Sequence, residues 1–139
     1  MAAHPKEDRL RSLNLFKKAD DKAIDHLASA ADEVTVPAGK VLIQQDHNHN
    51  EIYVLMSGAA SVVVEGEEVA EIPTGELVGE LGFFVQGPAS ATVTTTAESD
   101  LLIIPYNRFD QILGDNPDLV RSIAEELAER LYAMDEKIS

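Results

Sequence analysis

The chain has 139 residues, with 11 Lys and Arg against 25 Asp and Glu, a formal charge of −14 and no cysteine. The lack of cysteine excludes disulfides, thiolate zinc sites and cysteine nucleophiles, and the acidic balance argues against direct binding to nucleic acid or anionic membranes. We predict a single cytoplasmic domain over residues 1–139, because one core suffices at this length and no apolar run resembles a signal peptide or membrane span.

The N-terminal part, residues 9–32, has the apolar spacing of short amphipathic helices. Asp20 and Asp21 stand between two apolar groups and have the side chains that favour a helix N-cap. We therefore predict two short helices. Their apolar residues are Leu10, Leu13, Leu15 and Phe16, followed by Ile24, Leu27, Ala28 and Ala31.

From residue 34 to residue 105 the pattern changes to alternating or continuous short apolar runs, separated by glycine, proline and asparagine turns. This rhythm predicts about eight strands, the usual number for a jelly roll or a similar two-sheet β-roll. The strand-like runs are 34–36, 41–43, 52–54, 62–64, 69–72, 91–96 and 101–104.

The C-terminal part, residues 106–138, predicts two helices. Pro105 ends the last strand, and Pro117 restarts a longer helix after a short one. The longer helix carries a coiled-coil-like seam, which either packs on the chain's own strands or joins two copies as a homodimer. The seam consists of Val120, Ala124, Leu127, Leu131, Met134 and Ile138, and Leu119 and Ile123 broaden the apolar face in the first half of the helix.

The segment from Gly75 to Val93 is rich in glycine and has the hydroxyls of Ser90 and Thr92 near its end, so it looks like a loop that holds a phosphate. Between Lys40 and Arg108, however, the sequence contains no lysine or arginine. An anion bound in this region must therefore rely on backbone N–H groups and hydroxyls.

Taken together, these patterns resemble the cyclic nucleotide-binding domain family, shared by bacterial catabolite activator protein and the regulatory subunits of cyclic AMP-dependent protein kinase. The likeness covers nearly the whole chain. It implies a mainly β fold with flanking helices: an eight-stranded β-roll with N-terminal helices and two C-terminal helices. It also implies a non-enzymatic role. The segments that carry the resemblance are 13–16, 37–43, 52–58, 79–81 and 88–93.

Carried over by position, the resemblance implies that Glu80 accepts the ribose 2′-hydroxyl and that backbone N–H groups near Gly82 and Ser90 face the cyclic phosphate. A short helix starting near Gly82 would supply further donors. The implied ligand is cyclic AMP or cyclic GMP, with no catalytic residue and no metal. The implied ligand-binding residues are Gly79, Glu80, Leu81, Gly82, Ala89, Ser90, Ala91 and Thr92.

Ala89 departs from the family pattern, because the arginine that pairs with the phosphate falls on this position. A charge-assisted hydrogen bond is worth about 1.5–3 kcal/mol, so we expect cyclic nucleotide binding to be weakened by about ten- to a hundredfold. Gln45 also stands where a glycine is common, which indicates a changed loop geometry.

Three functional hypotheses remain. The first is a small-molecule sensor that binds a cyclic nucleotide or another ligand, and the second is a ligand-independent protein-interaction module, a degenerate member of the family. The third, a cupin-type metalloenzyme, is suggested by His47 and His49 near Glu51, but the spacing departs from the cupin pattern and no third histidine follows. We therefore interpret residues 47–49 as an exposed polar turn, His26 as a solvent-facing helix residue, and the chain as a non-enzyme.

Overall fold

The computed structural model describes residues 5–13, 16 and 18–138, and the side chains at 5, 80, 81, 130 and 134–138 lie outside that description. Five helices and eight strands occur in the described ranges. In chain order they are α1 (Pro5–Ser12), α2 (Asp21–Ala30), β1 (Asp32–Val36), β2 (Val41–Ile43), β3 (Glu51–Ser57), β4 (Ala60–Val64), β5 (Glu67–Ile72), β6 (Leu77–Val78), α3 (Glu80–Val85), β7 (Thr92–Thr95), β8 (Ser99–Pro105), α4 (Tyr106–Asp115) and α5 (Pro117–Ile138).

The chain divides into two compact units. One consists of residues 30–108 and holds all eight strands, and the other combines the segments up to residue 29 and from residue 109 onward. The assignment of residues 1–139 to a single domain stays a prediction.

The eight strands form two four-stranded antiparallel sheets, with the orders β1-β8-β3-β6 and β2-β7-β4-β5. The mainly β fold with flanking helices is thereby confirmed. Strand β6 was missed by the sequence pattern because its two residues are too few to show a period. It pairs Val78 with Tyr53 and Leu77 with Val54, and so places the following residues beside the start of β3.

The interior of the β-roll is formed by apolar side chains from both sheets. The first sheet contributes Leu55, Val78 and Leu101, and the second contributes Leu42, Ile43, Ala60 and Val93, all of them buried. Burial of such side chains is the main favourable term in folding, at about 25 cal/mol per Å² of apolar surface. The roll therefore has its own core, on which the loops at its ends are supported.

At one end of the roll, three turns meet around the hydroxyls of Thr95 and Ser99. Thr95 Oγ1 donates to the carbonyl of Pro37 at 2.8 Å and accepts the N–H of Lys40 at 2.9 Å. Ser99 Oγ donates to the carbonyl of Ala97 at 2.9 Å and accepts the N–H of Ala59 at 3.3 Å. Both side chains are only 1% exposed. We call this cluster of turns, residues 37–40, 58–59 and 95–99, the hydroxyl corner.

In the helical unit, the predicted cap is present: Asp20 Oδ1 accepts the N–H of Ala23 at 2.9 Å, three residues on. His26 is half-buried, and its Nδ1 lies 3.1 Å from the side-chain amide of Asn116. The interpretation of His26 as solvent-facing was wrong. The side-chain amide of Asn116 donates one hydrogen bond to the carbonyl of Ile112, and His26 Nδ1 is the acceptor for its second N–H.

Helix α5 buries the residues expected to broaden its apolar face, rather than Val120 and Leu131 of the seam itself. Leu119 and Ile123 are buried, whereas Val120 is 41% exposed and Leu131 is 66% exposed. The side chains of Met134 and Ile138 lie outside the described residues. Among the helices of the described ranges, none is long and apolar enough to cross a membrane.

Candidate functional site

The predicted ligand-binding residues all lie in residues 79–92, which we call the cassette. It connects β6 of one sheet to β7 of the other and contains α3. Since β6 pairs with the first half of β3, the cassette lies at the end of the roll where β3 begins. The hydroxyl corner lies where β3 ends.

Gly79 opens the cassette in a conformation that favours glycine. Its φ is 94°, in the left-handed region, and a β-carbon there would lie 3.0 Å from the carbonyl oxygen of Glu51. Helix α3 begins at the next residue, Glu80, close to the expected start near Gly82, and Gly79 takes the N-cap position. The side chains of Glu80 and Leu81 lie outside the described residues, so the ribose contact of Glu80 stays a prediction.

The far end of α3 carries a strained residue. Gln86 has a φ of 59° and a ψ of 121°, an unusual conformation for a residue with a side chain, and its N–H donates to the carbonyl of Gly82 at 3.1 Å. Strain of this kind costs about 1–3 kcal/mol and concentrates at functional sites. Phe84 and Val85, just before it, are 46% and 76% exposed.

Ala89 is held by a pair of backbone hydrogen bonds to the loop between β2 and β3. Its N–H donates to the carbonyl of His47 at 2.9 Å, and its own carbonyl accepts the N–H of Asp46 at 2.8 Å. The side chain is half-buried and packs against the core of the roll. Position 89 therefore faces the roll interior, while its N–H is already used by the protein.

The two hydroxyl residues of the cassette differ in their surroundings. Ser90 is exposed, Ala91 is half-buried, and Thr92 accepts the N–H of Gln45 on its Oγ1 at 3.0 Å. The side chain of Gln45 makes two hydrogen bonds to Glu65. Gln45 Nε2 donates to Glu65 Oε1 at 2.5 Å, and Gln45 Oε1 accepts the backbone N–H of Glu65 at 3.0 Å. Thr92 and Gln45 thus tie the loop to the β4–β5 turn, which explains how a glutamine is accommodated at position 45.

Two residues outside the predicted set lie against the opening of the cassette, Tyr106 by a direct hydrogen bond and His49 through Tyr106. Tyr106 Oη donates to the carbonyl of Gly79 at 2.7 Å, and His49 Nδ1 lies 2.9 Å from the same hydroxyl. The interpretation of residues 47–49 as an exposed polar turn holds for His47 but is wrong for His49, which is half-buried beside Tyr106. No local sequence signal could have revealed this pair, because its members are 57 positions apart.

Tyr53 adds a second half-buried phenol to the roll interior, opposite Val78 of β6. Its burial, together with the adjacent carboxylate of Glu51 that accepts its hydrogen bond, raises the pKa of Tyr53 above the ordinary 10.0. Within the described ranges, no three His, Asp or Glu side chains are grouped so as to hold a metal ion.

One protein-family model matches more than half of this chain. The model of the cyclic nucleotide-binding domain matches residues 33–116. The chain belongs to the cyclic nucleotide-binding domain family. This cyclic nucleotide-binding domain is 28% identical over 130 residues to the cAMP-activated global transcriptional regulator CRP of Salmonella typhimurium, covering 89% of this chain and 62% of the regulator. The chain thus spans less than two thirds of that relative.

Solved structures share the fold of this chain. The regulatory domain of Toxoplasma gondii PKA with cAMP is similar with a TM-score of 0.69 and 27% identity, over 81% of this chain and 46% of that one. The Catabolite Activator Protein of Thermus thermophilus reaches a TM-score of 0.77 at 24% identity, over 90% and 61% of the two chains, which shows the shared fold.

Proposed function

We propose that this domain is a non-catalytic regulatory module whose cassette binds cyclic AMP or cyclic GMP with reduced affinity. The observation that carries the proposal is position 89: the backbone there is fixed and the side chain faces the roll, but it is an alanine. The relatives support the ligand class, since the Salmonella regulator is named as cAMP-activated and the Toxoplasma domain was solved with cAMP.

The cassette supplies uncharged donors for such a ligand. A helix that begins at Glu80 leaves its first N–H groups without acceptors inside the helix, and Ser90 adds an exposed hydroxyl. No lysine or arginine occurs between Lys40 and Arg108. The electrostatic part of phosphate binding is therefore missing, while the donor geometry is kept.

Isothermal titration with cyclic AMP and cyclic GMP tests this function. We expect Ala89→Arg to tighten binding by about ten- to a hundredfold, because a guanidinium at position 89 would add a charge-assisted bond to the phosphate. Ala89→Gln is the matched control, since it adds length without charge and should leave the affinity near that of the native chain. Native binding as tight as that of Ala89→Arg would contradict the proposed weakening.

A second candidate is a ligand-independent protein-interaction module. It is favoured by the exposed apolar residues on α5, where Leu131 and Tyr132 are 66% and 68% exposed, as a surface for a partner or a second copy. The same titration distinguishes it: this candidate requires that the native chain binds neither nucleotide while Ala89→Arg does. Sedimentation of the native chain, run in parallel, shows whether α5 joins two copies.

A further inference from the structure

Tyr106 connects three segments of the strand-bearing unit. Its N–H donates to the carbonyl of Asn50 at 2.8 Å, which ties it to the loop before β3. Its hydroxyl donates to the carbonyl of Gly79 at 2.7 Å, at the N-cap of α3. Tyr106 is also the first residue of α4. One side chain therefore links the opening of the cassette to the residue where a C-terminal helix starts.

The protons in this cluster can be assigned. A tyrosine hydroxyl has one proton, and a carbonyl can only accept, so the proton of Tyr106 goes to Gly79. The hydroxyl oxygen must then accept from His49 Nδ1, which lies 2.9 Å away. His49 therefore carries its proton on Nδ1, and its Nε2 is directed toward Gly82.

The cluster is packed so closely that a side chain at Gly82 would force Tyr106 or His49 to shift. A β-carbon placed there would lie 2.7 Å from Tyr106 Oη, 3.0 Å from His49 Cε1 and 3.1 Å from His49 Nε2. The ring of Phe83 packs edge-on against the ring of Tyr106 at a centroid distance of 5.3 Å. The contact thus combines two hydrogen bonds with close packing, and depends on a glycine in the first turn of α3.

We propose that His49 and Tyr106 form a latch with Gly79 and Gly82, and that these two side chains are positioning residues for the ligand site. The latch holds the opening of the cassette, from Gly79 to Gly82, in one position relative to the loop before β3. This inference rests on the proposed function. Because coupling is reciprocal, a change that opens the latch weakens ligand binding, and a bound ligand strengthens the latch.

Three substitutions separate the hydrogen bonds from the packing. Tyr106→Phe keeps the ring and removes both hydroxyl bonds. His49→Asn keeps a donor near the place of Nδ1, whereas His49→Gln moves the donor to the place of Nε2. We expect Tyr106→Phe and His49→Gln to weaken cyclic AMP binding by about threefold to tenfold, and His49→Asn to stay within about twofold of the parent.

The titrations are made in the native chain and in the Ala89→Arg background, so that weak native binding does not hide the effect. Equal losses in His49→Asn and His49→Gln would contradict the assignment of the Nδ1 proton. If nucleotide binds and Tyr106→Phe has the affinity of its parent, the latch is overturned while the proposed function stands.

Amide hydrogen exchange without nucleotide gives an independent readout. The latch predicts faster exchange in residues 79–85 in the variants Tyr106→Phe and Gly82→Ala. Gly82→Ala should have a smaller effect in the Tyr106→Phe background, because the Tyr106 hydroxyl, the atom closest to the new β-carbon, is then absent. If neither parent binds a nucleotide, the proposed function fails and exchange alone decides: unchanged rates in Tyr106→Phe would overturn the latch, and faster rates would support it.

Discussion

The two ends of the β-roll are built from similar turns but are fixed in different ways. At the hydroxyl corner, Thr95 and Ser99 are 1% exposed and bind backbone groups of neighbouring turns. At the cassette, the side chains that bind backbone groups are half-buried, and Gln86 and Ser90 are exposed. Local stability follows burial and internal bonding, so the corner serves as scaffold and the cassette as the adjustable end.

Gly58→Ala, which adds a β-carbon inside the hydroxyl corner, should cause the greatest loss in the free energy of unfolding. The new β-carbon would lie 2.2 Å from Ser99 Oγ and 2.6 Å from the Glu98 carbonyl, at a φ of 99°. Overpacking and left-handed strain together should destabilise the fold by about 2–5 kcal/mol. Urea unfolding followed by circular dichroism measures the loss.

Gly39→Ala is the control for this substitution. Gly39 has a similar φ of 88° but nothing within 4 Å of its added β-carbon, so only the strain of about 1–2 kcal/mol should appear. Equal losses at the two positions would show that the close packing of Gly58 against Ser99 contributes nothing, and would weaken the view of the corner as a rigid scaffold.

A smaller effect should come from removing one hydroxyl at each end, with Thr95→Val and Tyr106→Phe. Valine matches threonine in shape but removes the acceptor of the Lys40 N–H and the donor to the Pro37 carbonyl, at a side chain that is only 1% exposed, which costs about 1–3 kcal/mol. Tyr106 is half-buried, so water can replace part of its bonding, and the loss should be about 0.5–1.5 kcal/mol.

Urea unfolding gives the free energies of unfolding of these two variants, which are compared with that of the native chain. If Tyr106→Phe destabilises the fold as much as Thr95→Val, the cassette end is as firmly fixed as the corner. The distinction between scaffold and adjustable end would then be lost.

The sequence predicted the scaffold better than the cassette, for physical reasons. Short continuous apolar runs such as those of β3 and β8 reveal strands, because residues on both faces of these strands are buried and turn residues bound each run. The Asp20 cap is likewise a local signal that involves only the next three residues. Such features are set by near neighbours along the chain.

The missed features depend on distant partners. His49 has the sequence of a polar turn, and only the fold brings Tyr106 to its ring. Helix α3 starts at Glu80 because Gly79 takes a left-handed conformation against Glu51, a residue 28 positions earlier in the numbering. The family likeness implied that position 89 belongs to the ligand site, whereas its orientation toward the roll and its pairing with residues 46 and 47 are seen only in the structure.

The weakest of these effects should be a pH dependence of stability that arises from Tyr53, which lies in the first half of β3 opposite Val78. Burial and the Glu51 carboxylate raise its pKa above 10.0 in the folded chain, so the folded form holds the phenol proton more tightly than the unfolded form. This contribution to stability is complete below the unfolded pKa and is lost as pH rises through the folded pKa. Native protein should therefore lose more stability than Tyr53→Phe between about pH 9 and about pH 11, as measured by urea unfolding. If native protein and Tyr53→Phe lost the same free energy of unfolding over this pH range, the Tyr53 phenol would have the same pKa in the folded and unfolded chains. The half of β3 next to the cassette would then be open to solvent.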